Sequence, residues 1–358
     1  MSIFARYMCK EFFKLLMICL LIFICIYFFS ILFGRIDNFL EAGVSNRLML
    51  YYFVYNIPLI VFQMLPPAAL IGVIVMFSLM KRNNEITAMK ASGMSIFRIA
   101  QPVVGTSLVL VLASFLLAET VVPYTSSRGN RIWRTEVQKE DPNLFYGHNQ
   151  IWYRGSDSIL WIRHFDQDTR VLTDLTFYFF DDVFQLVKRI DGKSGTWKNG
   201  LWEIRDGVLQ ERGEGEDFRT RKFDVLRLDL PETPETFMRE ERDPEEMGYW
   251  HLRRLAEKVR SEGYDATRYF VDSSLKISFP FIILIMVLIG VPVALSVEKG
   301  GAPLAVSLGT GLCFLYLLVL GFARALGYAG VLPPGLSAWL ANFVFFLLAL
   351  FWLMSVDR

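Results

Sequence analysis

Histidine is scarce in this chain of 358 residues: His148, His164 and His251 stand far apart, with neither an HExxH pattern nor any paired-ligand spacing. Nothing therefore points to a metal centre. Cysteine is nearly as scarce. Cys9, Cys19, Cys25 and Cys313 all lie in or beside apolar runs, so the polar middle of the chain carries no disulfide framework and no cysteine has a nearby histidine to activate it. The GxSxG elbow is missing. The nearest approach to a phosphate loop is IDGKSGTW at 190–197, but the first P-loop glycine would fall on Val187, and the segment reads as a β-turn. Acids are nearly absent from the long apolar runs, with Glu119 at the end of one, so no proton relay at membrane depth is visible. A net charge of +1, with no basic tail or arginine-rich block, gives no reason to expect nucleic acid. These absences argue against an enzyme, a resident cofactor and an ion-coupled transporter.

What is present is segregated. Hydrophobic residues make up 53% of the chain and charged ones 20%, two values that coexist only if apolar and polar stretches alternate along it. A bilayer core about 30 Å thick takes roughly 20 helical residues. Six stretches qualify: 13–33, 57–80, 99–118, 277–297, 302–323 and 336–356. The first has a basic start like a signal peptide but no small-residue cleavage site, so it reads as a retained membrane helix. The second belongs to an uncharged run reaching back to Leu48, and Pro58 with Pro66 and Pro67 predicts a kink or break in it. Tyr51, Tyr52 and Tyr55 suit the headgroup zone before it.

Orientation follows from Lys and Arg in the short connections. With the N-terminus inside, Arg6, Lys10, Lys14, Lys81, Arg82, Lys90, Arg98, Lys299 and Arg358 are cytoplasmic, against Arg35, Arg47 and Arg324 outside. Nine against three predicts cytoplasmic termini and an external middle segment, which in a bacterium is periplasmic.

That middle segment, about 125–265, reads as β structure. In TWKNGLWEIRDGVLQ at 196–210, an Asn-Gly and an Asp-Gly pair separate short runs rich in Trp, Ile, Leu and Val, a hairpin signal. VLRLDL at 225–230 alternates strictly, and IWYR, ILWIRHF, LTFYFF and FQLVKRI bring the expectation to seven or more strands, at the spacing of a sandwich or jelly roll. Helix returns at Asp243-Pro244-Glu245-Glu246, with an N-cap, a proline at N1 and first-turn acids; Leu252, Leu255, Ala256 and Val259 form its apolar stripe. The expected architecture is a six-helix membrane protein with an inserted, jelly-roll-like β domain. Its parts are 1–124 with the first three spans, 125–265 with the β domain and its closing helix, and 266–358 with the last three spans.

Between the second and third spans lies KRNNEITAMKASGMSIFR, 81–98. Asn83 or Asn84 can cap a short helix there, Glu85 suits its N-terminal dipole, and Gly93 can end it in the left-handed conformation. Ile86, Met89, Gly93 and Phe97 fall on one side of it, Glu85, Ala88 and Ser92 on another. A plain surface connector remains the competing reading, although a turn needs far fewer residues.

RNNEITAMKASGMS at 82–95 resembles the segment after the second membrane helix in the LptF/LptG permeases of the lipopolysaccharide exporter. The likeness extends to LEAG at 40–43, MLPPAALIG at 64–72, ETVVP at 119–123 and KISFPF at 276–281. IWYR at 151–154 and the whole segment 252–280 look closer to the LptG branch. The resemblance implies half of the membrane part of an ABC exporter. Six membrane helices and a periplasmic β-jelly roll would pair with the sister permease LptF, sit on an LptB-type ATPase dimer and pass lipopolysaccharide to the bridge component LptC. It also implies that 83–95 is a coupling helix, with Glu85 in contact with the ATPase and Ile86, Met89, Ser92 and Gly93 beside it. The missing P-loop is then expected, because the motor is another chain.

Each buried CH₂ is worth about 0.8 kcal/mol, so exposing a lipid with roughly six acyl chains of about a dozen carbons at one time would cost on the order of 50 kcal/mol. Extraction must therefore exchange the bilayer for another apolar enclosure, first between helices and then inside the β domain. Phosphorylated headgroups favour cations at the outer face, where Arg35, Arg47, Arg128, Arg131, Arg134 and Arg324 are placed; interfacial arginines holding any phospholipid are the bland alternative. Arg128, Arg131 and Arg134 share a face if the third helix continues, while Arg35 stands one residue from the family's usual lysine. The competing function is a membrane-anchored assembly protein whose β domain binds a partner and transports nothing.

Overall fold

The computed structural model describes residues 3–139, 149–154, 158–166, 169, 171–181, 185–198, 200–213, 218–228, 243–261, 265–297 and 301–357. The chain divides into two compact units, Met1–Trp133 with Asp243–Arg358, and Arg134–Arg242.

The first unit is helical. It contains α1 (Ile3–Ala42), α2 (Asn46–Arg82), α3 (Glu85–Ala91), α4 (Ile96–Leu116) and α5 (Val122–Ile132) from the first half of the chain. The second half contributes α6 (Tyr249–Ser261), α7 (Thr267–Ser278), α8 (Ile282–Ser296), α9 (Gly301–Tyr328) and α10 (Pro334–Asp357). Five helices are long and apolar enough to cross a bilayer, and a sixth crossing exists if the bent pair α7–α8 counts as one. Apolarity on all sides explains where α8 sits: from Ile282 to Leu295 nearly every residue is buried, with α2, α4, α9 and α10 around it. Gly290 lets α2 approach; a Cβ there would lie 2.2 Å from Val73 Cγ1. The outer helices keep wide apolar faces, such as Ile26 and Phe33 on α1 and Phe314 and Leu318 on α9, as lipid-facing or partner-facing helices do.

Four details differ from the expectations. The second span is one unbroken helix of 37 residues through Pro58, Pro66 and Pro67. The fourth breaks instead: α7 and α8 meet at 50° across 279–281, where Pro280 has no N–H to continue the ladder. The third span does not stop near 118 but continues through a π-helical turn, Leu117–Val121, into α5, so residues 125–133 belong to the helical unit. The expected start of helix at Asp243 is a single 3-10 turn, Pro244–Glu246, and α6 begins at Tyr249; it too belongs to the helical unit rather than to the β segment.

The second unit is all-β. Its described strands β1 (Asn149–Arg154), β2 (Ser158–Asp166), β3 (Val171–Phe180), β4 (Leu186–Lys198), β5 (Leu201–Arg212) and β6 (Phe218–Leu228) follow one another in a single antiparallel sheet. No second layer is among the described residues. Leu160, Ile162, Phe177, Ile190, Trp202 and Ile204 form the centre of its apolar face.

A crease crosses the whole sheet. Every ladder omits one pair on the same line, so the backbones of Gln150, Arg163, Asp174, Lys193, Asp206 and Asp224 stand side by side without ladder pairing. Asp174 and Asp206 have left-handed φ of 50° and 52°, which Asp tolerates better than most residues. Alternation slips by one residue across the line: β3 buries Leu172 on one side and Leu175 and Phe177 on the other, all in one cluster. Two turn readings fail here. Asp206-Gly207 lies inside β5 and GKSG at 192–195 inside β4, because their permissive backbones bend a sheet rather than close a hairpin. Gly207 is obligatory there: a Cβ would sit 2.2 Å from the Asp191 carbonyl oxygen and 2.4 Å from the Phe223 ring. The Asn-Gly turn does close β4 onto β5, with Gly200 at φ 82°, although Asn199 lies outside the described residues, as do 229 and 230 of VLRLDL.

Candidate functional site

At one end of the helical unit, α3 is clamped between α2 and α4. Asn84 enters it in the left-handed conformation, φ 61°, without a side-chain cap. Gly93, at φ 84°, closes it in a Schellman arrangement: its N–H reaches the Lys90 carbonyl at 3.0 Å and that of Met94 reaches Met89 at 3.1 Å. Ser95 then caps α4 by accepting from the Arg98 N–H. Ile86 is 5% exposed, and Met89 and Met94 pack beside it against the bundle core. Lys81 fixes the preceding turn to the end of α8, donating to the carbonyls of Leu295 at 2.6 Å and Val297 at 3.1 Å. Those carbonyls have no helical partner, so a cation there satisfies both hydrogen bonding and the helix dipole.

This geometry sorts the sequence candidates. Ile86 and Met89 hold the segment on its own protein and do not present themselves outward. Glu85 is half-buried and accepts from the Tyr7 hydroxyl at 3.0 Å and from Asn83 at 3.4 Å, tying α3 to α1. Thr87, Ala88, Lys90, Ala91, Ser92 and Gly93 are exposed, and Phe97 is 42% exposed beside them. Side-chain period alone separated apolar from polar residues without showing which side meets the bundle.

The other end carries the arginines. Arg35 lies 4.4 Å from the Trp133 ring centroid and donates to the Tyr52 hydroxyl; Tyr52 itself is buried. Arg324 pairs with Asp272 at 2.8 Å and donates to Tyr328 at 2.7 Å. Both are committed within the protein. Arg47 lies against Tyr51 and Arg128 4.6 Å from the Tyr124 ring; neither pairs with a carboxylate among the described residues. Arg128 and Arg131 are both exposed on α5, whose Gly129 packs on Tyr55 and Asn56 of α2. Arg134 falls in the β unit, on a π-helical turn, and is not brought to the others by the helical unit itself.

A residue noted in the sequence only as a lone acid proves to organise this end. Glu119 accepts from the backbone N–H of Tyr249 at 2.5 Å and of Trp250 at 3.4 Å, capping α6 from the end of the third span. Gly248 makes room for it, since a Cβ there would lie 2.6 Å from the carboxylate. Asn130 donates to Glu246 at 2.6 Å and to Asp243 at 3.2 Å, and the half-buried Lys276 has Glu119, Glu245 and Asp272 about it. The sequence contained the signal, a carboxylate ending one apolar run and a glycine before a helix, but the capped Tyr249 lies 130 residues from Glu119.

Between the two ends is an apolar cavity of about 400 Å³, lined by Phe23 of α1, Met64 and Pro67 of α2, Met286 of α8, and Cys313 and Leu317 of α9. Sequence reasoning had no access to it, because its walls come from four helices. No group of three or more metal-ligating side chains occurs among the described residues.

Residues 6–355 match the family described as lipopolysaccharide export system permease LptF/LptG. The chain belongs to the LptF/LptG family. It is 24% identical to the lipopolysaccharide export system permease protein LptG of Escherichia coli (strain K12), over 98% of this chain and 97% of that protein. It is likewise 24% identical to LptG of Haemophilus influenzae (strain ATCC 51907 / DSM 11121 / KW20 / Rd), over 82% of this chain and 81% of the other. Both relatives carry the name of the branch that the segment 252–280 resembles. As an LptF/LptG permease, the chain is a multi-pass membrane protein with an inserted β domain, and its helical unit carries the α3 segment at one end and the arginines at the other.

Proposed function

We propose that this chain is the LptG-type permease subunit of an ATP-driven exporter, a noncatalytic inner-membrane protein that extracts lipopolysaccharide and passes it toward the outer membrane. In this reading the termini and α3 are cytoplasmic and the β domain is periplasmic. An LptB-type ATPase dimer supplies the stroke, LptF forms the other half of the membrane path, and LptC continues it. The observation that carries the reading is α3: a short helix pinned by Ile86 and Lys81 at one end of the bundle, with Thr87, Ala88, Ala91 and Ser92 turned outward where another protein can meet them. A connector needs no such clamp.

The cavity of about 400 Å³ gives acyl chains an apolar alternative to the bilayer, and the apolar face of the β sheet offers a second enclosure. At the periplasmic end, Arg47 and Arg128 are the cations best placed for phosphate, because neither charge is neutralised by a carboxylate among the described residues. Arg131 is proposed with them on the helical unit and Arg134 as a separate candidate on the β unit, while Arg35 and Arg324 are assigned to holding the helices together. Glu85 is proposed to act in coupling by holding α3 to Tyr7, and Ser92 and Gly93 to lie on the docking face.

The test is Ala88→Arg in the full chain, copurified with the other exporter components. Loss of the ATPase, with the sister permease still attached and membrane insertion unchanged, is the expected result. An undiminished ATPase together with normal lipopolysaccharide-stimulated ATP turnover would return α3 to a connector and leave the membrane-anchored assembly protein as the better reading.

A further inference from the structure

Helix α6 has an exposed face at its start. At 100° per residue, Leu252, Ala256 and Val259 point one way and are buried against the bundle, while Trp250 and Arg254 point the other and are exposed. Trp250 is 61% exposed, unusual for a side chain of that size on a soluble surface. The helix carries four cations, Arg253, Arg254, Lys258 and Arg260, against one anion, Glu257, which is already paired with Arg253 at 3.1 Å. Its exposed face is therefore basic.

The height of this face relative to a bilayer is fixed by Glu119. That carboxylate follows directly on the apolar run 99–118 and holds the N–H groups of Tyr249 and Trp250, so α6 starts where the hydrocarbon-matched stretch of the third span stops. Lys276 of α7, at the threshold of the fourth span, lies in the same electrostatic neighbourhood. Arg254 is one turn farther along, about 6 Å from Trp250 at 1.5 Å per residue, and it is hydrogen-bonded back to the Trp250 carbonyl. An indole at the level where hydrocarbon ends and a guanidinium roughly 6 Å beyond it match the layering of acyl chain and phosphate in a leaflet.

We propose that the first two turns of α6 are an interfacial anchor for anionic phospholipid, with Trp250 inserted at the carbonyl level and Arg254 on the phosphates. The anchor holds the point at which the chain returns from the β domain at a constant depth, so a displacement of that domain is delivered to α7 rather than lost as bobbing of its tether. It rests on membrane topology and not on the assigned cargo, and it needs no lipopolysaccharide.

The test uses the full chain with Cys9, Cys19, Cys25 and Cys313 replaced by alanine. A nitroxide is placed at Trp250→Cys, Arg254→Cys or Arg221→Cys in vesicles of zwitterionic and anionic phospholipid free of lipopolysaccharide. The ratio of collisions with oxygen to collisions with a water-soluble nickel chelate is expected to be severalfold higher at 250 than at 221, and intermediate at 254. Adding Arg254→Glu should shift the label at 250 toward water in anionic vesicles and leave it in place in purely zwitterionic ones. A label at 250 that reads like 221, or becomes lipid-like only when lipopolysaccharide is added, overturns the proposal. All three labelled positions are exposed, so their folding is checked by an unchanged elution profile.

Discussion

Replacing Ile86 by alanine tests whether α3 is held by its own bundle. The substitution removes three carbons from a side chain only 5% exposed. At about 0.8 kcal/mol per buried CH₂ the transfer loss is roughly 2.4 kcal/mol, and with the residual cavity about 2–4 kcal/mol. Seven residues cannot sustain a helix alone, so that loss falls on local opening of the segment rather than on the whole bundle. Amide hydrogen exchange of 86–94 in a lipid nanodisc should then accelerate by roughly 30- to 700-fold, at about 1.4 kcal/mol per tenfold. Exchange in α8 should stay the same. Ala88→Arg, on the outward face, should leave exchange in 86–94 nearly unchanged while removing the proposed ATPase. If Ile86→Ala leaves exchange in 86–94 at the parent rate, the bundle does not hold this helix, and the division into inward and outward faces is wrong.

Other perturbations probe the two units separately. Glu119→Gln keeps the shape of the α6 cap but not its charge, and should cost about 0.5–2 kcal/mol, seen as faster exchange at 249–252 with the third span unaffected. Gly207→Ala places a methyl group against the Asp191 carbonyl and the Phe223 ring, where backbone cannot give way. The β domain should lose about 1–3 kcal/mol and become protease-sensitive at the crease, whereas Gly200→Asn in the hairpin should be tolerated. Asp265 accepts from the Thr267 side chain and N–H, which together hold its carboxyl below the ordinary range. Its contribution is thus fully present above the unfolded carboxylate's titration and fades as pH falls through the lower folded value. Acid-induced exchange at the start of α7 should begin at the same pH as in the parent only if Asp265→Asn is without effect; the expected result is a flattened acid dependence in that variant.

Much of the helical unit was legible because spans are a property of consecutive residues. Length and apolarity located the five long spans and the bent pair α7–α8, whereas the kink or break expected from proline in the second span is not a break. Pro58, Pro66 and Pro67 are accommodated inside α2, while Pro280, preceded by the polar α7, ends one helix and starts another. Local sequence shows that an N–H is missing; whether neighbours can absorb the gap is a tertiary matter. The β unit shows the same limit. Asp-Gly and GKSG were read as turns because glycine and aspartate permit unusual backbone; Asp206 does take a left-handed φ, but within a crease that runs through six strands and is visible only once registers are known.

For the sites, spacing singled out the short helix within 81–98 and Gly93 as its left-handed end, while the expected Asn cap makes no side-chain hydrogen bond. The helix and its end are local features, so the sequence by itself determined them, together with the order of spans and the polar, strand-rich insertion. The tertiary structure alone decided which face of α3 is turned outward, that Arg35 and Arg324 are bound to Tyr52 and Asp272 while Arg47 and Arg128 are not paired with carboxylates, and that Glu119 caps a helix beginning at Tyr249. Each of these depends on groups distant in sequence arriving within about 3 Å, the range over which hydrogen bonds and ion pairs act. No periodicity along a chain encodes which distant groups will meet.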